Sequence, residues 1–211
     1  MWRKLSFFGM LGALAYVLHV VLGGFLWKGY NHLHQPISDL TGRGAPDRAL
    51  LLCIINLYSL FSIIFAISII MYFKKASSRL LKTGLILFLC MHMASLSYPF
   101  FPEDLPGSAA SFTGFMHLVV TFSIIPLTIL FPILVGLGTR KLGGYERFSA
   151  YSIVTGAILF FAGGTTAILF AQKLPFFGLA ERINIGSLQL WMFITSFIIF
   201  FGRSGKNKLL P

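Results

Sequence analysis

The chain has five histidines and six acidic residues among 211, in a sequence that is 56% hydrophobic. The densest polar group is the stretch NHLHQPISDLTGRG at 31–44, which carries His32, His34, Ser38 and Asp39. A second group, FFPEDLPG, holds Glu103 and Asp104, and His117 follows it closely. A third, GLAERIN, holds Glu181 and Arg182. Asp39 and His117 are of the right types for an acid–base pair, with Ser38 or water as nucleophile and Asp104 as a further catalytic carboxylate. No GxSxG turn presents a serine. Imidazoles and carboxylates also suit a metal, but neither HxxxH nor HExxH sets two ligands on one helix face. The pair His32 and His34 lies in a flexible HxH, so no metal site is expected, and no cofactor is identified.

These residues must be positioned by elements that are almost wholly apolar. Uncharged segments recur at 5–27, 50–73, 83–101, 113–138, 148–171 and 183–201. Each is about the ~20 residues that cross a ~30 Å hydrocarbon core as a helix. Strand-like alternation is absent, and only helices or closed barrels satisfy their backbone groups in lipid. The expectation is an all-α polytopic membrane protein, a six-transmembrane-helix bundle forming one integral membrane domain over 1–211. The first segment follows Arg3 and Lys4 but lacks a small-x-small cleavage pattern, so it is expected to be a span and not a leader. Cys53 and Cys90 lie inside spans without metal-like spacing and read as small buried packing residues.

A formal charge of +11 raises the question of nucleic acid, but its distribution points elsewhere. Basic residues gather before the first span (Arg3, Lys4), in KKASSRLLK, in TRKLGGYER and in the tail with Arg203, Lys206 and Lys208. The alternate connectors hold only Lys28, Arg43, Arg48, Lys173 and Arg182, together with five of the six acidic residues. The positive-inside rule then places both termini in the cytoplasm of a cell-membrane protein. The partners implied are the lipid bilayer and its anionic headgroups, not nucleic acid.

By that topology NHLHQPISDLTGRG is external, and so are Glu103, Asp104, Glu181 and Arg182. Within the spans, Asn56, His117 and Gln189 lie one or two turns from the external side, and His19 and His92 lie deeper. Polar groups in hydrocarbon are costly and face the bundle interior or a watery cavity. One reading is therefore an outward-facing pocket, walled by His19, Asn56, His92 and His117, with Asp39, Glu103, Asp104, Glu181 and Arg182 at its mouth. The plainer reading is that the same groups only hydrogen-bond between helices.

Several of these residues form a pattern. PISDL after the first span, Asn56 in the second, FPED after the third, His117 opening the fourth and GLAERI before a last span with Trp191 resemble the domain of unknown function 998 family. Its members are small multi-pass proteins of bacteria and archaea without an assigned biochemical role. The resemblance covers most of the chain and singles out Ser38, Asp39, Asn56, Pro102, Asp104, His117, Glu181 and Arg182. Family members often have glycine directly after SDL, whereas here Thr41 precedes Gly42. The resemblance implies a shared external site and supplies no reaction.

The function expected is binding of a small molecule, ion or lipid headgroup in the external pocket. Asp39, His117 and Asp104 are the candidate catalytic residues, and Ser38, Asn56, His92, Glu103, Glu181, Arg182 and Gln189 the candidate ligand-binding ones. The alternatives are an intramembrane hydrolase or lipid-modifying enzyme built on the Asp and His residues, a small transporter, and an accessory subunit. The oligomeric state is not legible in the sequence.

Overall fold

The computed structural model describes residues 1–142 and 144–202. Helix α1 (Trp2–Leu5) runs into α2 (Phe7–Leu26) through Ser6, which keeps right-handed helical dihedrals. Then come α3 (Arg48–Tyr72), α4 (Arg79–Ser95), α5 (Phe112–Arg140), α6 (Glu146–Ala171) and α7 (Phe177–Phe201). Among the described residues there is no strand, only one isolated bridge between Arg43 and Asp104. The basic tail from Arg203 lies outside the described residues.

Among the described residues five helical stretches are long and apolar enough to cross a membrane: Trp2–Leu26, α3, α5, α6 and α7. The segment expected as a span over 83–101 is different. Its helix α4 has 17 residues, a rise of about 26 Å. It starts early, at Arg79, because the Ser78 hydroxyl accepts from the Leu81 N–H at 3.3 Å and caps the first turn. It ends early because Pro99 disfavours helical backbone at the residue before it. The chain continues to Phe101 in overlapping turns, with Tyr98 N–H on Ser95 O (3.2 Å) and Phe101 N–H on Ser97 O (3.1 Å). Helix α7 departs the other way and begins at Phe177, six residues before the expected 183. Phe176, at φ 68°, turns the corner after Pro175, so Glu181 and Arg182 ride on a helix and not in a connector.

The helices form a closed ring: α2 packs on α3, and so on in chain order until α7 returns to α2. Trp191 of α7 sits at its centre, fully buried against Phe88 and Phe131 (ring centroids 5.4 and 4.9 Å). Its indole N–H donates to the Ser152 hydroxyl at 3.0 Å, so the one polar atom of the side chain is satisfied inside the core. Two expectations about the interior are corrected. Cys53 and Cys90 are exposed, not buried packing residues. Asn56, three residues after Cys53, shares its outward face, while Tyr58 turns inward. In a chain this apolar, hydrophobicity does not tell the face toward neighbouring helices from the face away from them.

Candidate functional site

The connectors 27–47 and 96–111 and the start of α7 meet at one end of the ring. The first of them folds on itself before it meets anything else. Leu33 N–H donates to the Asn31 side-chain oxygen (2.9 Å), Asn31 N–H to Gln35 Oε1 (2.7 Å) and the Tyr30 hydroxyl to Pro36 O (2.7 Å). An Asn closing its own turn and a proline ending it are the local reasons for the bend. A single 3-10 turn, Ser38–Thr41, follows and buries Leu40 completely.

That turn is held from three directions. From α7, Glu181 Oε2 accepts from Ile37 N–H at 2.7 Å, and Arg182 donates to Gln35 O at 2.9 Å and to the Tyr30 hydroxyl at 2.6 Å. His34 Nδ1 accepts from Phe176 N–H at 3.2 Å, and Leu179 N–H reaches Leu33 O at 3.0 Å. From α3, Arg48 Nε donates to Thr41 O at 3.0 Å. From the second connector, Glu103 O accepts from Arg43 N–H at 2.9 Å. His32 stacks edge-on against Tyr30 at 5.1 Å, so both histidines of HxH belong to the packing of the loop.

At the centre of these contacts Asp39 is buried, 1% exposed, with Gln35 Nε2 donating weakly to its Oδ2 at 3.4 Å. Burial first, and then the nearby Glu103 charge, push the Asp39 carboxyl up to about 7, with Gln35 opposing them. Glu103 is raised as well, chiefly by burial, while a hydrogen bond from Ser38 pulls it down. Glu181 lies within electrostatic range of Asp39, Glu103 and Arg182. His117, on the first turns of α5, places Nδ1 at 2.9 Å from Phe101 O. A carbonyl only accepts, so Nδ1 carries a proton, and Nε2 faces Glu103 Oε2 at 3.9 Å.

A pH dependence follows. Asp39 holds its proton more tightly folded than unfolded, so its contribution to stability is complete below the ordinary carboxyl value of 3.8 and is lost as pH rises through about 7. Glu103 acts in the same direction. The thermal midpoint of the solubilised protein is expected to be higher at pH 5 than at pH 8, and Asp39→Asn is expected to flatten that slope. A midpoint that falls on acidification in the wild type, or an unchanged slope in the mutant, would contradict the assignment.

The other sequence candidates are placed elsewhere. Asp104 is held by Ser111, whose N–H and hydroxyl donate to its two oxygens at 2.8 and 2.7 Å, while the same Ser111 hydroxyl caps α5 through Gly114 N–H. Those bonds hold the Asp104 carboxyl below the usual range, and its role is to fix the start of α5. Among the described residues His117 forms its side-chain bond with Phe101 and faces Glu103, and has no hydrogen bond or ion pair with Asp39 or Asp104. Gln189 lies deeper, donating to the Tyr58 hydroxyl at 3.0 Å, and Tyr58 stacks edge-on with His92 at 5.9 Å. His92 is thus buried among aromatic rings, with Phe88 at 4.5 Å. His19 is likewise buried inside the bundle, and Asn56 points away from it. Among the described residues no three His, Cys, Asp or Glu side chains converge on one ion position. Tyr30, Gln35 and Arg48 were not legible as site residues. The one available signal was the i, i+4 spacing of Gln35 and Asp39.

No curated protein and no solved structure shows a significant match to the chain. A family model described as "Protein of unknown function (DUF998)" matches residues 10–198, a span that contains Asp39, Glu103, His117, Glu181 and Arg182. An all-helical chain of long apolar helices, matched over nearly its whole length, is a membrane protein that belongs to the DUF998 family.

Proposed function

We propose that the protein is a six-span cell-membrane protein with cytoplasmic termini, and that the end of the ring carrying Asp39 faces outward and binds a small ligand through a cationic, hydrogen-donating group. Helix α4 and the turns that extend it to Phe101 form the sixth crossing in this reading. The bias of Lys and Arg toward the opposite connectors supports the orientation.

The observation that carries the reading is an excess of enclosed carboxylates. Asp39, Glu103 and Glu181 lie together, and the one arginine among them, Arg182, gives its bonds to Gln35 O, Gly178 O and the Tyr30 hydroxyl instead. Buried carboxylates need a proton or a cation, because an uncompensated charge out of water is strongly disfavoured. A ligand ammonium competing with that proton would bind better at pH 8 than at pH 5. The test is a thermal-shift titration of the solubilised protein with ethanolamine, choline, spermidine and simple metal cations. A shift with ethanolamine or spermidine at pH 8, weaker at pH 5 and lost in Asp39→Asn and Glu103→Gln, is the expected result. No shift with either, a shift with choline or a metal cation alone, or an undiminished one in both mutants, would sink the reading.

A second reading, acid–base catalysis at the same place, is favoured by one feature. His117 Nε2 faces Glu103 at 3.9 Å, and Ser38 bonds to that same carboxylate. Here Glu103 would take the part first given to Asp104, which is committed to Ser111. Hydrolysis of a lipid ester that depends on His117 while amine binding does not would favour it.

A further inference from the structure

A groove of about 360 Å³ runs between α2 and α7 and ends at Arg182. On α7, Arg182, Gly186, Gln189 and Phe193 line it at helical spacing, i, i+4, i+7 and i+11, so they share one face over about 16 Å. Ala13 and Val17 of α2 form part of the opposite wall. The rim is open sideways, since Leu14, Val17, Val21 and Leu190 are each half exposed. The trough is apolar except for its polar groups on α7 and Tyr16, and two of its lining residues, Arg182 and Gln189, each carry a buried polar atom without a partner. One is Arg182 Nε, buried and unbonded although both terminal nitrogens of the guanidinium are used. The other is one end of the Gln189 amide: the residue is 4% exposed, and Tyr58 takes the other end. Amide orientation is interchangeable here, but either way one hydrogen-bonding atom is left.

We infer that this groove holds one aminophospholipid, with an acyl chain along α2 and α7, the phosphate on Arg182 and the headgroup ammonium toward the Asp39, Glu103 and Glu181 cluster. Each part of that molecule meets its complement. A guanidinium suits phosphate oxygens, a laterally open apolar trough suits a chain, and the Gln189 amide, two turns along the same face, can turn its N–H toward a glycerol ester carbonyl while its oxygen accepts from Tyr58. The carboxylates beside Arg182 disfavour a purely anionic headgroup and favour one that also carries a primary amine. The ammonium contact rests on the function proposed above, whereas the chain and phosphate contacts stand on the groove alone.

The experiment uses the full chain in phosphatidylcholine nanodiscs, with spin-labelled phosphatidylethanolamine, phosphatidylglycerol and phosphatidylcholine as probes of the motionally restricted lipid. Phosphatidylethanolamine is expected to be retained about tenfold over phosphatidylcholine, as befits one charge-assisted contact. Arg182→Gln should weaken retention of all three lipids alike, since each carries the phosphate, but it also loosens the loop, so Gly186→Phe is the deciding variant. No atom lies within 4 Å of a Cβ built at Gly186, so the ring fills the groove without strain. Loss of the preference in Gly186→Phe, with the ethanolamine thermal shift intact, supports the proposal. No ethanolamine shift in the wild type, with retention of all three lipids falling together in Gly186→Phe, supports the lipid groove while removing the carboxylate reading. Equal retention of all three lipids beside a clear ethanolamine shift, phosphatidylglycerol held as well as phosphatidylethanolamine in that case, or retention unaltered in Gly186→Phe overturns it.

Discussion

Gly138→Leu is expected to leave no folded, monodisperse protein after solubilisation. A Cβ at Gly138 would stand 2.6 Å from Leu81 Cα and 2.8 Å from Leu81 Cβ, closer than such atoms approach. One turn along α4, Gly84 is in the reciprocal position: its Cβ would meet Phe131 O and Val135 N of α5, both at 2.8 Å. The two helices therefore touch backbone to backbone at two points, where no side chain can swing aside. In lipid such close packing is a main source of helix association, since tails are as apolar as the helix surface. A single added methyl in a filled site costs about 1–3 kcal/mol, so Gly138→Ala should lower the thermal midpoint and leucine should force α4 off α5. Gly164→Leu is the control, because nothing lies within 4 Å of its Cβ. Size-exclusion profiles and midpoints of the three variants check this, and a wild-type profile for Gly138→Leu would refute it.

Arg182→Ala is expected to release the 27–47 connector while the ring stays folded. The guanidinium ties Gln35 O and the Tyr30 hydroxyl to α7, and each bond to a charged donor contributes about 1.5–3 kcal/mol. Two such bonds, lost together, raise the open population of the loop by about two orders of magnitude or more. Lys28 and Arg43 are trypsin sites within that loop. Arg43 is held down by its backbone bond to Glu103 and by side-chain bonds to Ser111 and Thr113. Cleavage at Arg43 should accelerate by roughly a hundredfold in the mutant if opening is fast relative to cutting. Unchanged cleavage would mean that Glu181, His34 and Arg48 hold the loop without Arg182. Because the ring is untouched, Trp191 fluorescence, read with Trp2 and Trp27 replaced by Phe, should keep its position.

The sequence by itself determined the class of this protein. Long apolar runs with no alternating pattern permit only helices in a membrane, and that information is local to each segment. It also drew attention to Asp39, Glu103, Glu181 and Arg182, because charged residues stand out in a chain that is 11% charged. It could not distinguish Glu103 from Asp104. The two are adjacent and chemically alike, and only the path of the backbone delivers Asp104 to Ser111 and Glu103 to His117. Nor could it orient Asn56, Cys53 and Cys90, since both faces of an apolar helix read alike and burial is set by which neighbours arrive. The ends of α4 and α7 depended on a proline and on one left-handed residue, Phe176, whose conformation no residue type advertises. The meeting of Ile37 with Glu181, 144 residues apart, and the groove ending at Arg182 exist only because α7 closes the ring against α2. Hydropathy is a property of a segment; a site is a property of distances between segments, and tertiary packing alone decides those.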